Sequence, residues 1–185
     1  MPERERRPAK ATNGLTELTA ISPIDGRYRD KVKELAPYFS EAGLIRTRVE
    51  IEARYLIALS EIGVVRPLTP KERKKLETLG PHMSNKDVRR VKEIEDETKH
   101  DVKAMERVFR EKVAGTSLED ITEMIHFGLT SEDVNNLSYR LMLDRANKGV
   151  MQPMLNKIAD TLADRAEEYA DVTMLGRSHG QCAIP

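Results

Sequence analysis

The sequence predicts an all-α protein, and three observations predict it. Apolar residues recur at helical spacing along most of the chain. Side-chain and proline start signals precede those runs, and no segment shows the period-two alternation of a half-buried strand. The composition agrees: of 185 residues, 34% are charged and 39% apolar, a balance suited to amphipathic helices and too apolar for a disordered chain.

Residues 1–14 mix Arg and Glu with two prolines and carry no apolar periodicity, so they are expected to form a flexible tail. Glu3 and Glu5 argue against a targeting segment. From Ser40 to Ile62 the positions Leu44, Ile45, Val49, Leu56, Leu59 and Ile62 mark the first long helix, which Gly63 ends. Thr69-Pro70-Lys71-Glu72 starts a shorter helix that runs to Gly80. Ser84 to Asp87 repeats the cap pattern, and Val88, Val91 and Ile94 follow on one face of a helix ending near Glu97.

Asp101 is a candidate cap for the next helix, whose stripe is Val102, Met105, Val108, Phe109 and Val113, stopped by Gly115. A short helix is expected over Leu118 to Phe127, closed by Gly128. Thr130-Ser131-Glu132-Asp133 then opens the longest helical stretch, to Tyr169. Pro153 lies inside it and removes a hydrogen bond to residue 149, which predicts a kink or break. Met174 to Pro185 loses the helical rhythm and reads as a loop. A loop in last place leaves the apolar faces before it uncovered, so the sequence reads as part of a longer one.

Several function classes are disfavoured. Lys plus Arg and Asp plus Glu both number 31, so no basic excess exists to hold nucleic acid, and aromatics are 4% with no Trp for base stacking. No apolar run approaches the roughly 20 residues that span a bilayer. The single cysteine, Cys182, excludes an internal disulfide, and the cytosol is the default compartment. The four histidines lack the spacing and carboxylate partners of a metal site, so no metal is expected.

Four segments combine reactive side chains at helix edges or in turns. Ser22-Pro23-Ile24-Asp25-Gly26-Arg27-Tyr28 presents a guanidinium and a phenol suited to a phosphate or carboxylate, although on its own a purely structural surface turn is the better explanation. In His100-Asp101 a carboxylate adjoins an imidazole, which caps a helix or holds a tautomer. Thr130 to Asp133, followed by Asn135-Asn136, puts hydroxyls at a helix start, where an anion is favoured. Arg177-Ser178-His179-Gly180-Gln181 is the sharpest, with a histidine in a glycine-flanked loop among polar neighbours. His126 reads as a residue packed on a helix face, at the core or its rim.

These segments, in this order, resemble the bacterial-type adenylosuccinate lyase family of the aspartase/fumarase superfamily. The stretches LTAISPIDGRY, KHDVKAMERVF, HFGLTSEDVNNLSYRLML and MLGRSHGQCAIP each resemble a family motif, and the likeness covers residues 15–185. It implies an N-terminal helical domain over 15–116 and, over 117–185, the beginning of a central long-helix bundle in a homotetramer. The implied reaction is elimination of fumarate from adenylosuccinate, giving AMP, and from succinylaminoimidazole carboxamide ribotide, with no cofactor and no metal.

By the same resemblance His179 is the general acid for the leaving nitrogen, a role suited to an imidazole titrating near about 6.5. Arg27 and Tyr28 match residues that grip the nucleotide phosphate, and Thr130 and Ser131 match carboxylate binders. His100 matches the family's second histidine and is implied to be catalytic, Asp101 and the preceding Lys99 are implied to bind the substrate, and Ser178 and Gln181 contact its succinyl portion. The family loop usually reads SRTHGQPATP; here Gly176, Ser178, Cys182 and Ile184 differ, and Lys99 replaces a usual Asn or Thr. The family's general base is a serine in a downstream Ser-Ser loop, and residues 1–185 hold no Ser-Ser pair. This polypeptide alone is therefore expected to be inactive. The alternative is a non-catalytic helical module that associates with a lyase or with itself.

Overall fold

The computed structural model describes residues 16–183. The expected tail at 1–14 lies outside the described residues, as does Ile184. After a turn at 22–28 come α1 (Arg29–Val32), a 3-10 turn (Lys33–Leu35) and α2 (Ala36–Phe39), then α3 (Glu41–Glu61), α4 (Pro70–Leu79), α5 (Asn85–Thr98) and α6 (Asp101–Val113). A 3-10 segment (Glu119–Met124) leads to α7 (Ser131–Ala146), a π turn (Asn147–Met151), α8 (Gln152–Glu168) and a hairpin of β1 (Gly176–Ser178) and β2 (Gln181–Ala183). The fold is all-α apart from that hairpin. No described helix is long and apolar enough to cross a membrane.

Local sequence sets the helix starts. Ser40 accepts a hydrogen bond from the Gly43 N–H at 3.2 Å and opens α3. Thr69 and Glu72 form a reciprocal capping box on α4, with Pro70 in its first turn, and Ser84 and Asp87 do the same for α5. α3 then organises the rest. Its N-terminal half, through Ile45 and Val49, shares one apolar cluster with Val91 of α5 and Met105 of α6. Its C-terminal half, through Leu56 and Leu59, shares a second with Leu76 of α4 and with Phe109 and Val113 of α6. Burying each of the larger side chains contributes about 1.5–3 kcal/mol.

α4 approaches α3 closely at Gly80, where an added Cβ would stand 2.6 Å from the Arg46 carbonyl oxygen and from the Glu50 nitrogen. α7 buries Val134, Ser138, Met142 and Ala146. Beyond it the expected break near Pro153 takes the form of the π turn, closed by the Gln152 N–H donating to the Asn147 carbonyl. α8 buries none of its side chains and exposes Met154, Leu155, Ile158 and Leu162.

Four expectations need correction. Met174 to Pro185 is not a loop throughout: β1 and β2 pair antiparallel with Ser178 opposite Gln181. His179 and Gly180, at φ 52° and 77°, form the two-residue tip, and a primed turn with both φ positive matches strand twist. The expected helix over Leu118 to Phe127 is a 3-10 segment confined to Glu119–Met124. α6 is capped by His100, whose Nδ1 accepts the Lys103 N–H at 3.2 Å, and not by Asp101. His126 does not ride on a helix face; it sits in the turn before α7 at φ 64°.

Candidate active site

The starts of α6 and α7 flank one small cleft of about 240 Å³, lined by His100, Val102, Lys103, Glu106, His126 and Ser131. Each side chain arrives by a local cause. His100 is placed by its cap, after Lys99 has turned the chain out of α5 at φ 54° with its N–H on the Glu95 carbonyl at 2.7 Å. Because Nδ1 of His100 accepts the Lys103 N–H, its neutral ring carries the proton on Nε2, a donor. Ser131 is the first residue of α7, and its hydroxyl makes no hydrogen bond to the described residues.

Carboxylates around the cleft are already held. Asp101 stands 2.8 Å from the guanidinium of buried Arg48 and accepts the Val102 N–H at 2.8 Å. Burial pushes its carboxyl up, but the Val102 N–H and the Arg48 charge outweigh that and hold it below the usual range. Asp133 accepts both the N–H and the hydroxyl of Thr130, at 2.7 and 2.8 Å, which hold it low. Thr130 is thereby committed to the cap. Glu106 is buried between Lys103, at 2.8 Å, and Arg110, at 3.0 Å.

The structure thus brings His100 and Ser131 together on one cleft, with Asp101 and Thr130 at the two helix starts beside them. The lining of the cleft does not include Lys99, Arg27, Tyr28, Ser178, His179 or Gln181. Lys99 is exposed and serves as the left-handed cap. Arg27 and Tyr28 form an exposed unit, the guanidinium 4.6 Å from the phenol ring centroid, on a turn in which Tyr28 N–H donates to the Pro23 carbonyl at 2.9 Å. Ser178, His179 and Gln181 are exposed on the hairpin. Among the described residues no cluster of three or more His, Cys, Asp or Glu side chains stands ready to hold a metal ion.

Two residues that shape the cleft, one lining it and one behind it, were not assigned a role from the motifs. His126 lines it and meets Glu52 of α3, and Arg48, one turn earlier on α3, reaches both Asp101 and Asn135. The available signal is compositional: α3 interleaves Thr47, Arg48, Glu50 and Glu52 with its apolar positions, and all four are buried.

Comparison with known proteins places the chain. A family model described as "Lyase" matches residues 26–185. Over 92% of its length the chain is 42% identical to adenylosuccinate lyase of Escherichia coli (strain K12) and 43% identical to that of Haemophilus influenzae. It is 41% identical to adenylosuccinate lyase of Dictyostelium discoideum, also over 92% of its length. The chain spans 38% of the length of each of these relatives. With the family match running from the turn at Gly26 through both helix starts to the hairpin, the chain belongs to the lyase family.

Proposed function

We propose that this chain supplies part of the active site of an adenylosuccinate lyase, which eliminates fumarate from adenylosuccinate to leave AMP and acts likewise on succinylaminoimidazole carboxamide ribotide. The observation that carries the reading is the convergence of His100 and Ser131, from two separate family-like motifs, on one cleft between two helix starts. Ser131 and the first turn of α7 bind a substrate carboxylate, where the amides and hydroxyl meet growing negative charge. Thr130, Asp101 and Lys99 set the two helix starts, and His100 offers an Nε2–H to the substrate. His179 is the general acid for the departing nitrogen, with Ser178 and Gln181 on the succinyl portion, and Arg27 and Tyr28 take the phosphate.

These groups meet around one nucleotide in a homotetramer, in the cytoplasm, where copies bring the hairpin and the arginine-tyrosine turn to the cleft. Residues 15–116 form the N-terminal domain and 117–185 begin the bundle. The exposed apolar side of α8 suits such an assembly. It also favours the second reading, a non-catalytic module that binds a lyase through that face.

Fumarate release, followed by ultraviolet absorbance, separates the readings. Residues 1–185 alone are expected to give no turnover. In a polypeptide extended to the relatives' length, adenylosuccinate is expected to be cleaved, and His179→Gln to cut kcat by about 10²–10⁴-fold. Turnover of argininosuccinate or fumarate but not of adenylosuccinate by the extended chain would overturn the reading, and no turnover of any of them favours the module.

A further inference from the structure

Glu52 is wholly buried in α3 and directs both carboxylate oxygens at one residue. Oε2 accepts the His126 backbone N–H at 3.2 Å, and Oε1 lies 2.5 Å from Nδ1 of the ring. His126 is held at φ 64°, a left-handed conformation that costs a side-chain-bearing residue about 1 kcal/mol, so the double contact fixes a backbone the turn alone does not favour. Burial raises the Glu52 carboxyl above its ordinary range, with Glu106 adding to that effect, while the bonds from His126 work against it.

We propose that Glu52 is a positioning residue that fixes the neutral His126 ring as its Nδ1–H tautomer, leaving Nε2 as a hydrogen-bond acceptor toward the cleft. At a pH above the raised titration of Glu52 the carboxylate has no proton to give, so at 2.5 Å the ring nitrogen must be the donor. His100, across the same cleft, is set the opposite way: its Nδ1 accepts a backbone N–H and its Nε2 carries the proton. Together they offer one imidazole acceptor and one imidazole donor. The matching ligand presents an N–H or O–H beside an oxygen acceptor, such as a secondary amine carrying a carboxylate. That chemical use rests on the lyase reading; the ring tautomer does not.

Glu52→Gln is the discriminating variant. An amide has one oxygen, and if that oxygen keeps the His126 backbone N–H, the NH2 group faces Nδ1. The ring must then accept there and carry its proton on Nε2. Nitrogen-15 NMR of the ring nitrogens on the 185-residue chain, at about pH 9 where ordinary imidazoles are neutral, reads this directly. The wild type is expected to show His126 protonated at Nδ1 and His100 at Nε2. The variant is expected to reverse His126 alone, by at least about tenfold in tautomer ratio, the scale of one buried hydrogen bond.

Nε2–H on His126 in the wild type overturns the proposal, as does an unchanged tautomer in a folded Glu52→Gln protein. If the variant fails to fold, the wild-type spectrum decides alone. Nδ1–H on His126 together with no cleavage of adenylosuccinate by the polypeptide extended to the relatives' length sinks the lyase reading and leaves this one standing; cleavage by the extended polypeptide with Nε2–H on His126 does the reverse.

Discussion

Arg48 of α3 stands 2.8 Å from Asp101 at the start of α6, and the same guanidinium donates to Asn135 of α7 at 2.9 Å. One buried cation therefore sets the separation of the two helix starts that flank the cleft. The cleft owes its width to α3, an element that contributes none of its lining.

Removing the carboxylate strands that cation. Asp101→Ala is expected to lower unfolding stability by about 2–4 kcal/mol in urea denaturation, because the guanidinium stays buried with Asn135 alone to meet it among the described residues. In an Arg48→Met background the same change is expected to cost far less. Equal costs in both backgrounds would show that the pair does not couple.

Acid should unfold the protein partly through Glu50. Burial pushes this carboxyl up, but Arg145, both of whose terminal nitrogens lie 2.7 Å from it, and Arg54 bring it below its ordinary value of 4.5. A depressed folded-state value means that its contribution is complete above about pH 4.5 and is lost as pH falls through the folded value. Glu50→Gln is expected to lower stability at neutral pH by about 2–3 kcal/mol, with the difference from wild type shrinking as pH falls below about 4.5 and through the depressed folded value. Glu52 has the opposite sign: its raised carboxyl favours the folded state below pH 4.5, an advantage lost as pH rises through its folded value. Denaturation at a series of pH values measures both.

Lys99 occupies the left-handed cap of α5 with an exposed side chain. Lys99→Gly is expected to raise the midpoint of thermal unfolding, by about 1 kcal/mol of stability, through relief of the steric cost of φ 54°. A fall in the midpoint would mean that the Lys99 side chain contributes to folding.

Gly80 is required for closeness, and its φ of −62° is ordinary. Gly80→Ala would drive a methyl against the backbone of α3 and is expected to destabilise by about 1–3 kcal/mol, with amide hydrogen exchange rising first across α4. A neutral effect would mean that α4 can slide outward without loss.

The helix starts were legible because their causes are local: Thr69 to Glu72 and Ser84 to Asp87 carry both partners of each capping box within four residues. The pairing of His126 with Glu52 was not, because the two are 74 positions apart and α3 hides its charges within an apolar rhythm. Asp101 looked like a cap because carboxylates commonly are. Arg48, more than a helix length away in sequence, draws it aside and leaves the cap to His100. The hairpin was missed for its size, three residues a side, although a two-residue tip ending in glycine is itself a hairpin signal. His100 and Ser131 were both named from sequence; their meeting in one cleft depends on α3 and had to be seen.

The tip of the hairpin has one further consequence. With both of its residues wound to the left, the direction in which the His179 side chain leaves the tip is set by the main chain. A surface arriving at that tip meets a backbone already set, and rotation about the side-chain bonds of His179 is left to be frozen on contact.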